Sequence, residues 1–195
     1  MSIILGFVPW IAFSVLSGPS TWEWAAPTAF VITLVLAVPD LRRTREIGVL
    51  DAGGAAFFGV LTVLALVLER GQLQWLEDRA SLISGIAITL IAVGSLLVRR
   101  PFTEHYARQS TPREYWTSPL FRHVNVMITG VWALTFALQA VSAFIVSTTP
   151  RTSDVFGWVV PTLLLVAAVK FTMWYPDHAT AEVRSGTPEA PRVAS

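Results

Sequence analysis

The chain has 195 residues, of which 53% are hydrophobic and only 14% are Asp, Glu, Lys or Arg, and its mean hydropathy is +0.58. A soluble domain normally carries about 25% charged residues, so this composition indicates a small integral membrane protein. The net charge of +1 excludes a strongly basic nucleic-acid binder, and the absence of cysteine excludes disulfides, zinc–thiolate sites and cysteine nucleophiles.

Six apolar stretches follow one another along the chain, at residues 3–17, 22–38, 47–68, 82–98, 123–146 and 156–174. A membrane-spanning helix needs about 20 residues, with a range of about 17–25. The first two stretches are marginal, and they form either two short spans or one re-entrant hairpin; two spans is the preferred hypothesis. We therefore predict an all-α polytopic bundle of about six transmembrane helices. Residues 1–175 form a single transmembrane domain, and residues 176–195 form a disordered cytoplasmic tail.

The basic residues predict the orientation of these spans. If the spans alternate in direction, one side of the membrane receives eleven of the 14 Lys and Arg residues: Arg42, Arg43, Arg45, Arg99, Arg100, Arg108, Arg113, Arg122, Lys170, Arg184 and Arg192. The other side receives Arg70, Arg79 and Arg151. Because Lys and Arg favour cytoplasmic loops, we expect both termini in the cytoplasm.

Asp51 is the residue of the apolar stretches whose burial in the membrane would cost the most free energy. It is either a carboxylate at the start of the third helix, stabilised by the helix dipole, or a proton or cation site inside the membrane.

A polar stripe runs along one face of the fifth stretch, with helical spacing, and consists of Asn125, Thr129, Trp132, Thr135, Gln139 and Ser142. Such a face either makes hydrogen bonds to neighbouring helices or lines a polar conduit. The candidate polar cavity comprises Asp51, Asn125, Thr129 and Gln139. A matching row of small residues at Ser81, Gly85 and Thr89 in the fourth stretch predicts that the fourth and fifth stretches pack closely along this row and the polar stripe.

The loop at residues 99–122 alternates arginine with aromatic residues. This pattern suits a segment with short interfacial helices on an anionic inner leaflet, or a docking surface for a membrane protein partner or a second copy of the chain. The candidate surface comprises Arg99, Arg100, Phe102, Tyr106, Arg108, Arg113, Tyr115, Trp116 and Arg122. Within the loop, Ser118 followed by Pro119 predicts the N-terminal cap of the fifth membrane helix.

The sequence contains no nucleophile–base pair, P-loop or metal motif, and His105, His123 and His178 are too scattered to predict a metal centre. We therefore expect no enzymatic activity, no catalytic residues and no cofactor.

The order of several motifs resembles the bacterial intracellular septation protein A family of small polytopic inner-membrane proteins. The motifs lie between residues 3 and 146: Ala25-Ala26-Pro27-Thr28-Ala29, Gly59-Val60-Leu61-Thr62, Trp75, Arg99-Arg100-Pro101, and Trp116 through Asn125 to Trp132 and Phe136. The long loop and the sixth stretch depart from the family's pattern. The resemblance implies a location in the bacterial plasma membrane and a role in envelope maintenance or septation through membrane partners, and it transfers no catalytic residues.

Two functional hypotheses follow from the sequence. The first is a non-enzymatic envelope protein that acts through protein or lipid contacts. The second is a small transporter or channel-like protein, in which the four candidate cavity residues converge on a wet space.

Overall fold

The structure is a computed structural model that describes residues 3–17 and 21–186, and these residues form helices and short connections without a β-strand. The α-helices are α1 (Ile3–Leu16), α2 (Trp22–Thr44), α3 (Val49–Val67), α4 (Arg70–Asp78), α5 (Ala80–Leu97), α6 (Phe102–Ala107), α7 (Pro119–Thr148) and α8 (Val160–Gly186). Short 3₁₀ turns lie at Arg113–Tyr115 and Pro150–Thr152, and a π-helical turn at Val155–Val159 leads into α8. The all-α prediction is confirmed.

Five helical segments are long and apolar enough to cross a membrane: Glu23–Arg42, Val49–Val67, Ala80–Leu97, Pro119–Thr148 and Val155–Val183. The first helix is shorter, with 14 residues. At about 1.5 Å per residue it is about 21 Å long, less than the ~30 Å hydrocarbon core of a bilayer. Among the described residues, five segments thus have the length and apolar composition of membrane-spanning helices, and a sixth span stays a prediction.

Contacts between neighbouring helices show that they run in alternating directions. On α3, the position that a Cβ atom of Gly54 would take is 3.8 Å from Thr33 of α2, and that of Gly59 is 3.3 Å from Phe30. In the same way, α8 runs antiparallel to α7, with Thr172 beside Trp132 and Pro161 beside Gln139. The ends of the helices therefore gather at two ends of the bundle.

We call these ends the α6 end and the α4 end, after the short helix at each. The α6 end contains the C-terminal ends of α2, α5 and α8 and the N-terminal ends of α3 and α7. The first turns of α1 also lie there, because Gly6 is next to the hydroxyl of Tyr106.

The first helix packs one face into the bundle, where it supplies the centre of an aromatic core, while Ile11 and Val15 on its other face are exposed. Phe7 stacks on Trp132 with ring centroids 4.6 Å apart, and Trp10 stacks on Phe57 at 5.2 Å. Phe13, only 2% exposed, packs against Phe57 and Phe58. Their spacing of three residues places these three side chains of α1 on one helix face.

The helix termini follow from local sequence. Ser118 caps α7 as predicted, because its Oγ accepts a hydrogen bond of 3.1 Å from the backbone N–H of Phe121, and Pro119 occupies the first helical position. After α2 and α5 the chain turns through left-handed residues, Arg45 with φ 54° and Arg99 with φ 57°.

The last helix extends beyond the predicted end of the membrane domain. It continues through Pro176 to Gly186, so the first part of the segment at 176–195, expected to be disordered, is helical; residues 187–195 lie outside the described residues. Local pairs explain the continuation: His178 stacks on Trp174 at 4.4 Å and lies 3.4 Å from the Glu182 carboxylate, one turn away in each case.

Candidate functional site

The short helix α6 is inserted into the end of the bundle. Phe102 is fully buried, and Thr103 and Tyr106 are 3% and 7% exposed. Phe102 packs edge-on against Phe7 of α1 with ring centroids 6.1 Å apart, and its backbone N–H donates a hydrogen bond of 3.2 Å to Ser95 Oγ on α5. The helix therefore belongs to the core and does not rest on its surface.

Thr103 connects α6 to the polar stripe of α7. Its hydroxyl lies 3.1 Å from Oδ1 of Asn125 and 2.8 Å from Oγ1 of Thr129. The Asn125 amide in turn donates a hydrogen bond of 2.8 Å to the carbonyl oxygen of Phe121. Since Asn125 and Thr129 are at most 2% exposed, this network satisfies polar groups that would be costly to bury alone.

Tyr106 connects α6 to α3 and α1. Its hydroxyl is 3.4 Å from both carboxylate oxygens of Asp51, and it occupies the space beside Gly6 where a Cβ atom would lie. Burial, followed by the nearby Asp51 carboxylate, raises the pKa of Tyr106, so the phenol keeps its proton and serves as a donor. Asp51 lies in the first turn of α3, which agrees with its interpretation as an N-terminal helix carboxylate.

His105 connects α6 to the end of α2. Its Nε2 atom lies 3.1 Å from Oδ2 of Asp40, and the Gln109 amide donates a hydrogen bond of 3.1 Å to the same oxygen. The His105 ring and Asp51 Oδ2 both lie within 3.0 Å of the position that a Cβ atom of Gly48 would take. The imidazole is therefore held between two carboxylates, where Gly48 leaves room for it.

An arginine and a tryptophan form the outer edge of α6. Arg108 pairs with Glu104 one turn earlier and lies 3.7 Å from Glu46 in the α2–α3 connection. Its guanidinium carbon is 5.2 Å from the ring centroid of Trp116, and Arg113 is 5.6 Å from the same ring. These cation–π contacts hold the loop after α6 against the bundle.

The four residues of the candidate cavity do not converge. Asn125 and Thr129 contact Thr103 of α6, and Asp51 contacts Tyr106 of the same helix, so these three side chains lie at the α6 end and Gln139 does not. Gln139 lies about 21 Å from Asn125 along α7, at ~1.5 Å per residue. Its amide donates a hydrogen bond of 3.2 Å to the carbonyl oxygen of Pro161. A surface groove of about 500 Å³ at the α4 end contains none of the four; its lining is Leu64, Leu68, Gly71, Gln72, Trp75 and Leu76.

The polar stripe also has other neighbours than expected. Its hydrogen bonds reach α6 and α8, where the Trp132 indole donates to Thr172 Oγ1 at 3.0 Å. Helix α5, the fourth apolar stretch, approaches α7 through a small residue instead. A Cβ atom on Gly85 would lie 3.2 Å from the Cα atom of Ala140. The close approach of these two helices was predicted, but polar groups do not mediate it.

The candidate surface divides into buried and exposed residues. Phe102 and Tyr106 were expected on this surface, but they lie in the core because their spacing of four residues places both on the inner face of α6. Arg108 and Trp116 are half-buried, and the exposed members are Arg99, Arg100, Arg113, Tyr115 and Arg122.

The side chains that anchor α6 were not among the predicted site residues; they are Ser95, Thr103, Asp40, His105 and Gln109. The sequence signal that could have found them is the pair Phe102 and Tyr106, which gives a six-residue segment an apolar face.

The geometry defines a class of protein: over residues 3–17 and 21–186 the chain is all-helical, and five of the helices in these ranges are long and apolar enough to cross a membrane. Comparison with protein-family models, with curated proteins and with solved structures finds no match to this chain.

Proposed function

We propose that this is a non-enzymatic integral membrane protein of the bacterial inner membrane that acts through contacts made by its α6 end. In this proposal six segments cross the membrane, both termini are cytoplasmic, and the α6 end faces the cytoplasm, where its excess of arginine favours it. The resemblance to the intracellular septation protein A family suggests envelope maintenance or septation as the setting.

One observation supports this proposal most directly: α6 is anchored to four other helices. His105 reaches Asp40 of α2, Tyr106 reaches α3, Phe102 reaches α5 and Thr103 reaches α7. An element fixed at so many points holds the exposed residues of the 99–122 loop in a defined arrangement. Fixed geometry of this kind lowers the entropic cost of a contact.

The transporter hypothesis lacks comparable support. It needs Asp51, Asn125 and Gln139 around one wet space, whereas Asp51 and Asn125 make their contacts at the α6 end and Gln139 bonds to Pro161 about 21 Å away along α7. Thr129, the fourth residue, has no exposed surface.

The experiment uses two matched variants, each with three arginines replaced by glutamine. The rim variant carries Arg99→Gln, Arg100→Gln and Arg122→Gln at the α6 end. The control variant carries Arg70→Gln, Arg79→Gln and Arg151→Gln at the opposite end, so both remove the same charge.

Each variant is introduced into the bacterium from which its own gene has been deleted, and the envelope phenotype is scored at equal membrane levels. We expect the control variant to restore the wild-type phenotype and the rim variant to fail. Full restoration by the rim variant would show that the α6 end is not the functional surface.

A further inference from the structure

At the α6 end several arginines are exposed, whereas two of the carboxylates are half-buried. Among its acidic groups, the side chains of Asp40 and Glu104 are only 13% and 19% exposed, because they pair with His105 and Arg108. Among the arginines of this end whose side chains the structure describes, six are exposed, and we call them the basic rim: Arg42, Arg45, Arg99, Arg100, Arg113 and Arg122. Within the 99–122 loop, Glu114 is the one exposed acidic residue among four exposed arginines.

This arrangement makes the surface more basic than the sequence suggests. The chain as a whole has a net charge of only +1, but at the α6 end two carboxylates, Asp40 and Glu104, are paired and largely withdrawn from solvent. The exposed acidic residues that the structure describes at this end are Glu46, Glu114, Asp177 and Glu182, and they are outnumbered by the exposed arginines and Lys170. The exposed charge is therefore predominantly guanidinium, which recognises phosphate and carboxylate oxygens through paired hydrogen bonds.

The position of the basic rim relative to the ends of the apolar segments indicates its partner. Arg42 ends the apolar segment Glu23–Arg42, and Arg99 and Arg100 closely follow the segment Ala80–Leu97. Arg122 lies in the first turn of α7. Residues at the ends of membrane-spanning helices lie at the level of the lipid headgroups, and the exposed ring of Tyr115 is of the type that favours this level.

We propose that the basic rim binds the phosphate groups of anionic phospholipids in the leaflet that surrounds the α6 end. The partner is a lipid headgroup, because the arginines lie around the ends of the spans and not on a domain that projects into the cytoplasm. The inference rests on the proposed function, since it names the partner of the surface through which the protein acts.

The test measures which lipids the full-length protein retains. Wild type, the rim variant and the control variant are reconstituted in vesicles of equal phosphatidylglycerol and phosphatidylcholine, extracted in mild detergent and purified, and the ratio of the two retained lipids is measured. One arginine near an anionic surface favours binding about fivefold, so we expect at least a tenfold enrichment of phosphatidylglycerol in wild type. The control variant should keep this enrichment, and the rim variant should lose most of it.

A second measurement on wild type does not depend on the folding of any variant. Because salt screens exposed charges, we expect the enrichment to fall when the extraction is repeated in about 1 M salt, where the Debye length is about 3 Å. An enrichment that salt leaves unchanged would overturn the proposal.

Three other results would overturn the proposal as well: no preference in wild type, unchanged enrichment in the rim variant, or equal loss in both variants. If the rim variant keeps its lipids but fails to restore the envelope phenotype, the partner of the rim is a protein and the proposed function stands. If it loses its lipids but restores the phenotype, the lipid site stands and the proposed function fails.

Discussion

A single hydroxyl group, that of Thr103, supports the buried network at the α6 end. It lies within 3.1 Å of Asn125 Oδ1 and 2.8 Å of Thr129 Oγ1, and all three residues are buried. Thr103→Val keeps the shape of the side chain but leaves these groups without their partner. We expect it to destabilise the protein by about 1–3 kcal/mol, the cost of buried polar groups left unsatisfied.

The measurement is thermal unfolding in detergent, with Thr103→Ser as the matched control. Serine keeps the hydroxyl, so this variant should retain most of the stability. Equal melting temperatures for Thr103→Val and wild type would show that the network contributes nothing.

Tyr106 makes the stability of the fold depend on pH in the alkaline range. Burial and Asp51 raise its pKa above the usual value of 10.0. Above about pH 10 the unfolded chain loses a phenolic proton that the folded chain keeps, so stability decreases as the pH rises. Below that pH both states are protonated and the stabilisation is fully present.

The expected result is a steeper loss of melting temperature for wild type than for Tyr106→Phe between about pH 8 and pH 11, because phenylalanine has no proton to lose. Tyr115→Phe, at an exposed position, controls for the removal of a tyrosine hydroxyl as such. Parallel pH profiles for wild type and Tyr106→Phe would contradict this prediction.

At the scale of whole elements, the contact between α5 and α7 depends on the absence of a side chain at Gly85. A Cβ atom there would lie 3.2 Å from both Cα and Cβ of Ala140, so a larger residue must push the helices apart. We expect Gly85→Val to cost about 1–3 kcal/mol, as overpacking does elsewhere.

The same helix contains its own control. A Cβ atom on Gly94 would meet nothing within 4 Å, so Gly94→Val should leave thermal unfolding in detergent close to that of wild type. If the two valine variants unfold at the same temperature, close packing at Gly85 is not what holds these helices together.

The elements also show which features the sequence could predict. The cap at Ser118 depends on residues a few positions apart, and the structure has it as expected. The position of α6 could not be predicted in this way, because it depends on residues far away in the chain, such as Ser95 and Asn125. A helix that lies on a membrane and a helix whose aromatic residues are buried in the bundle can show the same alternation of arginine and aromatic residues. The pattern alone therefore did not distinguish the two positions of α6.

At the scale of the whole molecule, composition predicted an apolar exterior, and large apolar side chains such as Leu66 and Trp158 are indeed more than three-quarters exposed. The contacts of individual polar residues were harder to predict from the same sequence. Asp51 and Gln139 belong to different interhelical contacts, and a periodicity measured along one helix cannot show which neighbour each residue meets.

The orientation of the molecule can be tested directly because the chain contains no cysteine. A single introduced cysteine is then the one site for a membrane-impermeant maleimide. Thr117 is exposed at the α6 end, and Ser153 is exposed at the α4 end. In intact spheroplasts we expect Ser153→Cys to react, and Thr117→Cys to react only after the membrane is permeabilised.

The same labelling decides whether α1 crosses the membrane. At about 21 Å this helix crosses only if the bilayer thins locally or flanking residues extend the span, and mismatch of this kind carries a modest cost. Its aromatic packing at the centre of the bundle compensates for that cost, since Phe7 and Trp132 stack at 4.6 Å. We therefore expect Ser2→Cys to behave like Thr117→Cys, and labelling of Ser2→Cys in intact spheroplasts would leave the chain with five spans.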